Sequence, residues 1–313
     1  MKTPSLLLLT GKGGTGKTTA AAALALALAG RGERVTVISL DPAHNLGDVL
    51  GHTLGPGPEE VHENLRALEA DLAGRSAAKT SQTRRLVEQR YHYLSVANLD
   101  PLIRLLGDAP GAEEHAAAEE LGERLRDSRI QGRTLIVDLP PSGQAWRMLT
   151  LPELTARWCR SLIALRGKIL DRRRTLDSIL GEESPARVPG GGRAPSRPEE
   201  DPVLLRLEAA LALHGELAAA LTDRAECRLL AVALPERLSL LETKRLRERL
   251  AGHGIFPGGL IINCCPEDTR ALVPFAEAFP NLPRTTLPFL DQEPRGESLL
   301  LPLGERLLPL VRP

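Results

Sequence analysis

The chain has 313 residues, with 40 Lys plus Arg against 40 Asp plus Glu and a formal net charge of zero. At 42% hydrophobic content it can bury a large core, as one big domain or two small ones. The charge balance argues against a nucleic-acid face or a polybasic membrane surface, and 3% aromatics leaves no platform for stacking bases.

In chain order, Leu6–Thr10 is an apolar run suited to a buried parallel strand. Gly11 to Thr19 follows as a glycine-rich loop, and Lys17–Ala29 reads as a helix stopped by Gly30 and Gly32. That helix is apolar nearly all round, so it should be covered on most sides. The run Ala20 to Ala29 is too short to span a bilayer, and the chain shows no cleavable leader, so a cytoplasmic location is expected. Arg34–Leu40 is β-branched and predicts a second strand, ending at Asp41.

From Leu65 to Asp127 the chain reads as mostly helical, with Leu65–Ala70 open to a short strand instead. Thr83–Leu106 and Glu113–Arg126 are the two helices expected there. Arg133–Leu139 returns to strand and ends in Asp138. Trp146–Leu170 predicts a helix broken at Pro152, and Arg172, Arg173 and Arg174 a solvated helix face. Gly181–Pro202, rich in Gly and Pro, predicts a disordered loop. Val203–Leu221 resumes as helix. Arg228–Leu234, Leu260–Asn263 and Thr285–Leu290 read as strands, Glu242–His253 and Glu297–Leu310 as helices. The expected fold is α/β: one domain over 1–313, a mostly parallel sheet with helices on both faces. A helical subdomain is expected at about 61–130 and 145–225, interrupted by the loop 181–202.

Gly11, Gly16, Lys17 and Thr18 satisfy the phosphate-loop spacing, a glycine, four residues, then Gly-Lys-Thr. Such loops let backbone N–H groups converge on phosphate oxygens, and the following helix adds its unpaired amides. Gly11, Gly13, Gly14, Thr15, Gly16, Lys17, Thr18 and Thr19 are therefore the candidate nucleotide-binding residues. Lys17 would reach the outer phosphates and Thr18 would hold Mg2+. Asp138 ends an apolar strand and could bind the Mg2+ water shell; its bland alternative is a turn cap. Asp41 ends another strand and could polarise the attacking water; its alternative is an Asp-Pro turn. Ligands of open α/β sheets bind outside the carboxyl ends of strands, where these groups fall.

Several motifs then point to one family. GKGGTGKTT is similar to the deviant phosphate loop that carries an extra lysine, here Lys12. DPAHNLGD and DLPPSGQAWRMLTLP resemble the first and second switches of the arsenical-pump and tail-anchored-protein-targeting ATPases. Pro110-Gly111-Ala112-Glu113-Glu114, PERLSLLETKRL, Ile262-Asn263 and LPFLDQEPRG match further family segments, in family order. The second switch departs from the pattern: Leu139, Pro140 and Gln144 stand where the family has Thr, Ala and His. The resemblance implies a P-loop ATPase working as a homodimer, with ATP at the interface. Lys12 would cross to the partner's phosphates, Asn263 would bond adenine, and Pro288 and Phe289 would flank it. The helical subdomain would offer a surface to a membrane-protein or hydrophobic-helix client. A metalloid-stimulated ATPase subunit of an arsenite pump and a low-turnover nucleotide-binding scaffold are the alternatives.

Cys159, Cys227, Cys264 and Cys265 form no C-x-x-C pair, so neither a zinc clasp nor a disulfide framework is expected. Cys264 and Cys265, adjacent on a strand, would face opposite ways. Of the seven histidines, His44 lies inside the first switch; the others read as solvated or hydrogen-bonded structural residues.

Overall fold

In the computed structural model, the described residues are 3–79, 81, 111–180, 187–188, 192–193, 197–266 and 272–311. Strands are β1 (Leu6–Gly11), β2 (Val35–Ser39), β3 (Glu59–His62), β4 (Leu65–Glu69), β5 (Thr134–Asp138), β6 (Arg187–Val188), β7 (Gly192–Arg193), β8 (Cys227–Ala233), β9 (Pro257–Cys265) and β10 (Arg284–Pro288). Helices are α1 (Lys17–Ala29), α2 (Leu46–Leu50), α3 (Ala112–Gln131), α4 (Ser142–Leu180), α5 (Pro202–Thr222), α6 (Arg237–Ala251), α7 (Val273–Ala278) and α8 (Glu297–Val311). Residues 72–79 are also helical.

Eight strands form one sheet in the order β10-β9-β8-β1-β5-β2-β4-β3, parallel throughout except for the β3–β4 pair. This is the α/β architecture expected of a P-loop ATPase. Helices cover both faces, and strand periodicity shows it. On β8, Leu230 and Val232 pack with α1 and α8, while Ala231 and Ala233 pack with Leu240 of α6 and Phe275 of α7. Central β1 is buried along its whole length.

Helix α1 is sheathed as its sequence requires: Ala20 through Ala29 are all buried. Small residues let α8 approach closely. A Cβ built on Gly304 would lie 2.0 Å from the Ala23 carbonyl oxygen, so only glycine fits that crossing.

The chain divides into two compact units. The first holds residues 1–71, 120–150 and 217–313; the second holds 72–119 and 151–216. The helical subdomain expected from about residue 61 therefore needs correction at its start. Glu59–His62 and Leu65–Glu69 are strands of the main sheet, with Leu65, Ala67 and Leu68 buried. Strand pairing with β2 overrides the mixed local propensity of LRALE. Pro152 does not break its helix either: α4 runs 39 residues with Pro152 inside. A proline removes one amide donor, and the rest of so long a ladder survives it. The expected helix Thr83–Leu106 lies outside the described residues. Within 181–202, Arg187–Val188 pairs with Gly192–Arg193 and Pro198–Glu200 forms a 3-10 turn, so part of that loop is ordered. Its remaining residues up to 196 are outside the described set.

Replacing Gly304 with Ala should cost about 1–3 kcal/mol through the clash with α1. By contrast Gly167→Ala, where an added Cβ meets nothing on α4, should stabilise by about 0.5–1 kcal/mol. Denaturant unfolding of both variants checks this; equal midpoints would refute the close crossing.

Candidate active site

The glycine-rich loop leaves the C-terminal end of β1 between β8 and β5. Chain connections diverge there, β2 lying to one side of β1 and β8 to the other, which is where open sheets bind ligands. Two glycines are required by close approach. A Cβ on Gly11 would sit 2.2 Å from the Val232 carbonyl oxygen, and one on Gly16 would sit 2.3 Å from Asn263 Nδ2. Gly16 also has φ of 85°, a left-handed backbone that glycine adopts without strain. It caps α1 without a side-chain bond, so the first amides of the helix stay available to an anion. Gly13 and Gly14 are exposed, and Thr18 and Thr19 half-buried. Thr15 is buried, its hydroxyl donating to the Lys12 carbonyl at 2.9 Å.

Lys17 is 5% exposed and points inward. Its Nζ lies 3.8 Å from Asp41 Oδ2 and 3.5 Å from the Lys12 carbonyl. Asp138 is fully buried at the end of β5. One of its oxygens, Oδ2, accepts from Thr18 Oγ1 at 2.7 Å and from Ser39 Oγ at 3.1 Å. The other, Oδ1, is buried with no hydrogen-bond partner. Burial pushes this carboxyl up to about 6, against the opposing effect of Thr18, Lys17 and Ser39. An orphaned, buried acceptor beside a threonine hydroxyl fits a hydrated divalent cation, whose water would donate to Oδ1.

Asp41 follows β2 and is oriented by local backbone: Ala43 N donates to its Oδ1 at 3.1 Å. His44 has φ of 49°, and its Nδ1 lies 3.7 Å from Glu69 Oε2. Glu69 also accepts from Gly47 N at 2.9 Å, so it ties the segment after β2 to β4. Sequence reasoning singled out neither Glu69 nor Ser39. The latent signal for Ser39 is its position two residues before Asp41, at the end of a strand facing Asp138.

The other predicted residues separate into two groups. Asn263 is brought to the loop, its Nδ2 donating to the Thr15 carbonyl at 3.0 Å. Lys12 is half-buried, with Nζ 4.0 Å from Glu242 Oε1 on α6. Pro288 ends β10, and Phe289 beyond it is 66% exposed, its amide bonded to the Cys265 carbonyl. No direct contact joins that pair to the phosphate loop among the bonds described. The strand alternation expected at Cys264-Cys265 is interrupted, because Cys264 has φ of 54° and leaves the extended conformation.

This geometry can accept an anionic phosphate group, and the family follows from comparison with known proteins. A family profile described as anion-transporting ATPase matches residues 5–279. The chain belongs to the anion-transporting ATPase family. Its relatives include ATPase ARSA2 of Chlamydomonas reinhardtii, 30% identical over 96% of this chain and 83% of the relative. A putative arsenical pump-driving ATPase 2 of Aquifex aeolicus is 26% identical over 81% of this chain and 77% of its own. ATPase GET3 of Phaeosphaeria nodorum is 27% identical over 84% and 77%. This anion-transporting ATPase family member is thus an enzyme that hydrolyses ATP, and the resemblance read from its motifs holds. No described helix is long and apolar enough to cross a membrane.

The raised Asp138 pKa sets a pH dependence. The folded state holds this proton more tightly than the unfolded chain, whose value is near 3.8. The stabilisation that Asp138 contributes should therefore be fully present below that value and be lost as pH rises to about 6, by about 3 kcal/mol for two units. In chelated, nucleotide-free protein Asp138→Asn should flatten that window in thermal melts; an unchanged slope would refute the assignment.

Proposed function

We propose that the chain is a Mg2+-dependent, homodimeric ATP switch that presents a helical surface to a hydrophobic client. The observation that carries it is the convergence of Lys17, Thr18, Asp41 and Asp138 around an uncapped helix start, with a second loop lysine half-buried beside Glu242.

Each residue has a role that follows from its position. Loop amides from Gly13 to Thr19 bind the phosphates, and Lys17 neutralises the outer ones. Incoming phosphate would draw Lys17 from its 3.8 Å pairing with Asp41. That releases the Asp41 carboxylate to orient a water and accept its proton. Thr18 Oγ1 would ligate Mg2+ and Asp138 would hold its water shell; the ion supplies charge neutralisation on the transferred phosphoryl group. Asn263 fixes the loop through the Thr15 carbonyl and stands at the strand end, where adenine would bind, with Pro288 and Phe289 covering it. Lys12 acts across a two-fold interface, as an arginine finger does, so that hydrolysis requires closure. Its 4.0 Å contact with Glu242 is long and half-exposed, a pairing weak enough to exchange for a partner's phosphates.

The client reading draws on α4. Leu154, Trp158, Leu162 and Leu165 recur at three- and four-residue spacing and are 50%, 64%, 40% and 56% exposed. They form an apolar stripe on one helix face, the kind of surface that accepts an amphipathic or apolar helix. The same helix starts just after Asp138, at the second switch. The metalloid alternative finds no support in the thiols. Cys159 is buried on α4 of the second unit, and Cys264 and Cys265 lie on β9 of the first. Among the described residues no three of them come within ligating distance.

Lys12→Ala and Asp41→Asn should each reduce ATP turnover at least 100-fold in steady-state phosphate-release assays. Mixed dimers of the two should regain part of it, because one site then holds both groups. No recovery in proven heterodimers would remove the trans role. Equal background turnover in wild type and Asp41→Asn would leave a scaffold. Separately, Trp158→Glu with Leu165→Glu should cut binding of a fluorescent apolar helical peptide at least tenfold while basal turnover persists; unchanged binding would place the client elsewhere.

A further inference from the structure

The second unit contains a cluster that ATP hydrolysis does not use. His115 and Glu119 lie one turn apart on α3, and His214 reaches them from α5. His115 Nε2 is 3.3 Å from Glu119 Oε1, and His214 Nε2 is 4.0 Å from the same oxygen. The two imidazoles stack with centroids 5.3 Å apart. One donor atom from each residue lies within 4.8 Å of the others.

His214 is the telling member. It is fully buried, and neither ring nitrogen has a hydrogen-bond partner. A buried imidazole with two unsatisfied nitrogens is costly and calls for an occupant. Burial also holds its pKa down at about 4, so the ring is neutral near pH 7 and its lone pair is available. Burial alone would raise the Glu119 carboxyl, but hydrogen bonds from His115 and Lys79 hold it at about 2, so it is ionised. Lys79 Nζ stands 2.5 Å from Glu119 Oε1 and is 46% exposed.

We propose that His115, Glu119 and His214 form a binding site for a borderline divalent transition metal, Zn2+ above all, that clamps α3 to α5. The donor set suits the ion. Two neutral imidazoles and a carboxylate are a common Zn2+ set, and one position remains open in a tetrahedron. Bonds of about 2.0–2.1 Å put tetrahedral ligands about 3.3 Å apart, so the donors, 3.3 and 4.0 Å from Oε1 and all within 4.8 Å of one another, must draw together as the ion binds. Imidazole donors exclude Mg2+ and Ca2+, which prefer all-oxygen shells. Lys79 is the built-in substitute. Its ammonium neutralises Glu119 when metal is absent, and its exposed stem lets it swing away when the ion binds.

The test is titration of Zn2+, and of Co2+ as a spectroscopic probe, into chelator-stripped, nucleotide-free full chain without Mg2+. Wild type should bind one equivalent, with Co2+ giving the visible bands of a four-coordinate site and no thiolate charge-transfer band. Glu119→Gln and His115→Asn should weaken binding at least tenfold. Lys79→Met should bind as tightly as wild type or more tightly. Cys264→Ser with Cys265→Ser should bind unchanged. Circular dichroism confirms that each variant folds, and His115, partly exposed, is the substitution least able to perturb the core. Absence of saturable binding would overturn the proposal. So would binding that survives both Glu119→Gln and His115→Asn, or that is lost with the two cysteines.

Discussion

A single buried carboxylate ties together the parts of the catalytic unit. Asp138 sits at the end of β5, in register with Leu9 of β1 and Ser39 of β2. It receives hydroxyls from Thr18 on α1 and Ser39 on β2. Two strands, β5 and β2, and the helix after the glycine-rich loop therefore meet at one oxygen. An ionised carboxylate is costly in such a place, which is why its pKa rises. Two hydroxyl donors offset part of that cost on Oδ2, while Oδ1 stays buried without a hydrogen-bond partner.

The second constraint is steric. The loop can pass where it does only because Gly11 lies against the Val232 carbonyl and Gly16 against Asn263. Gly304 lets α8 close over α1, and α1 carries almost nothing larger than leucine or alanine on its buried surface. The glycine-rich loop is thus held by close backbone packing at Gly11 and by Asn263. A close-packed support of this kind transmits small displacements, since it has no slack to absorb them.

Much of this was legible beforehand, for identifiable reasons. Strand, loop and helix around Gly11–Thr19 have strong local signals: a continuous apolar run, fixed glycine spacing and an alanine-rich helix. Asp41 and Asp138 were legible because a charged residue ending an apolar strand stands out. Leu65–Glu69 was ambiguous, because LRALE suits a helix in isolation and becomes strand only beside β2. Pro152 misled because proline's local cost says nothing of the ladder on either side. His115 and His214 were invisible as a pair, since 99 residues separate them and each alone resembles an ordinary polar side chain.

The sequence by itself determined the family, the ATPase chemistry and the glycine-rich loop between β1 and α1. These depend on short-range order: residue types at set spacings along one stretch of chain. Tertiary structure decided what stands opposite what. It placed Ser39 on Asp138, Glu69 on the Gly47 amide, Glu242 beside Lys12 and His214 against His115 and Glu119. Those pairings arise from sheet order and helix packing, which bring distant segments together and leave no periodic trace in the chain.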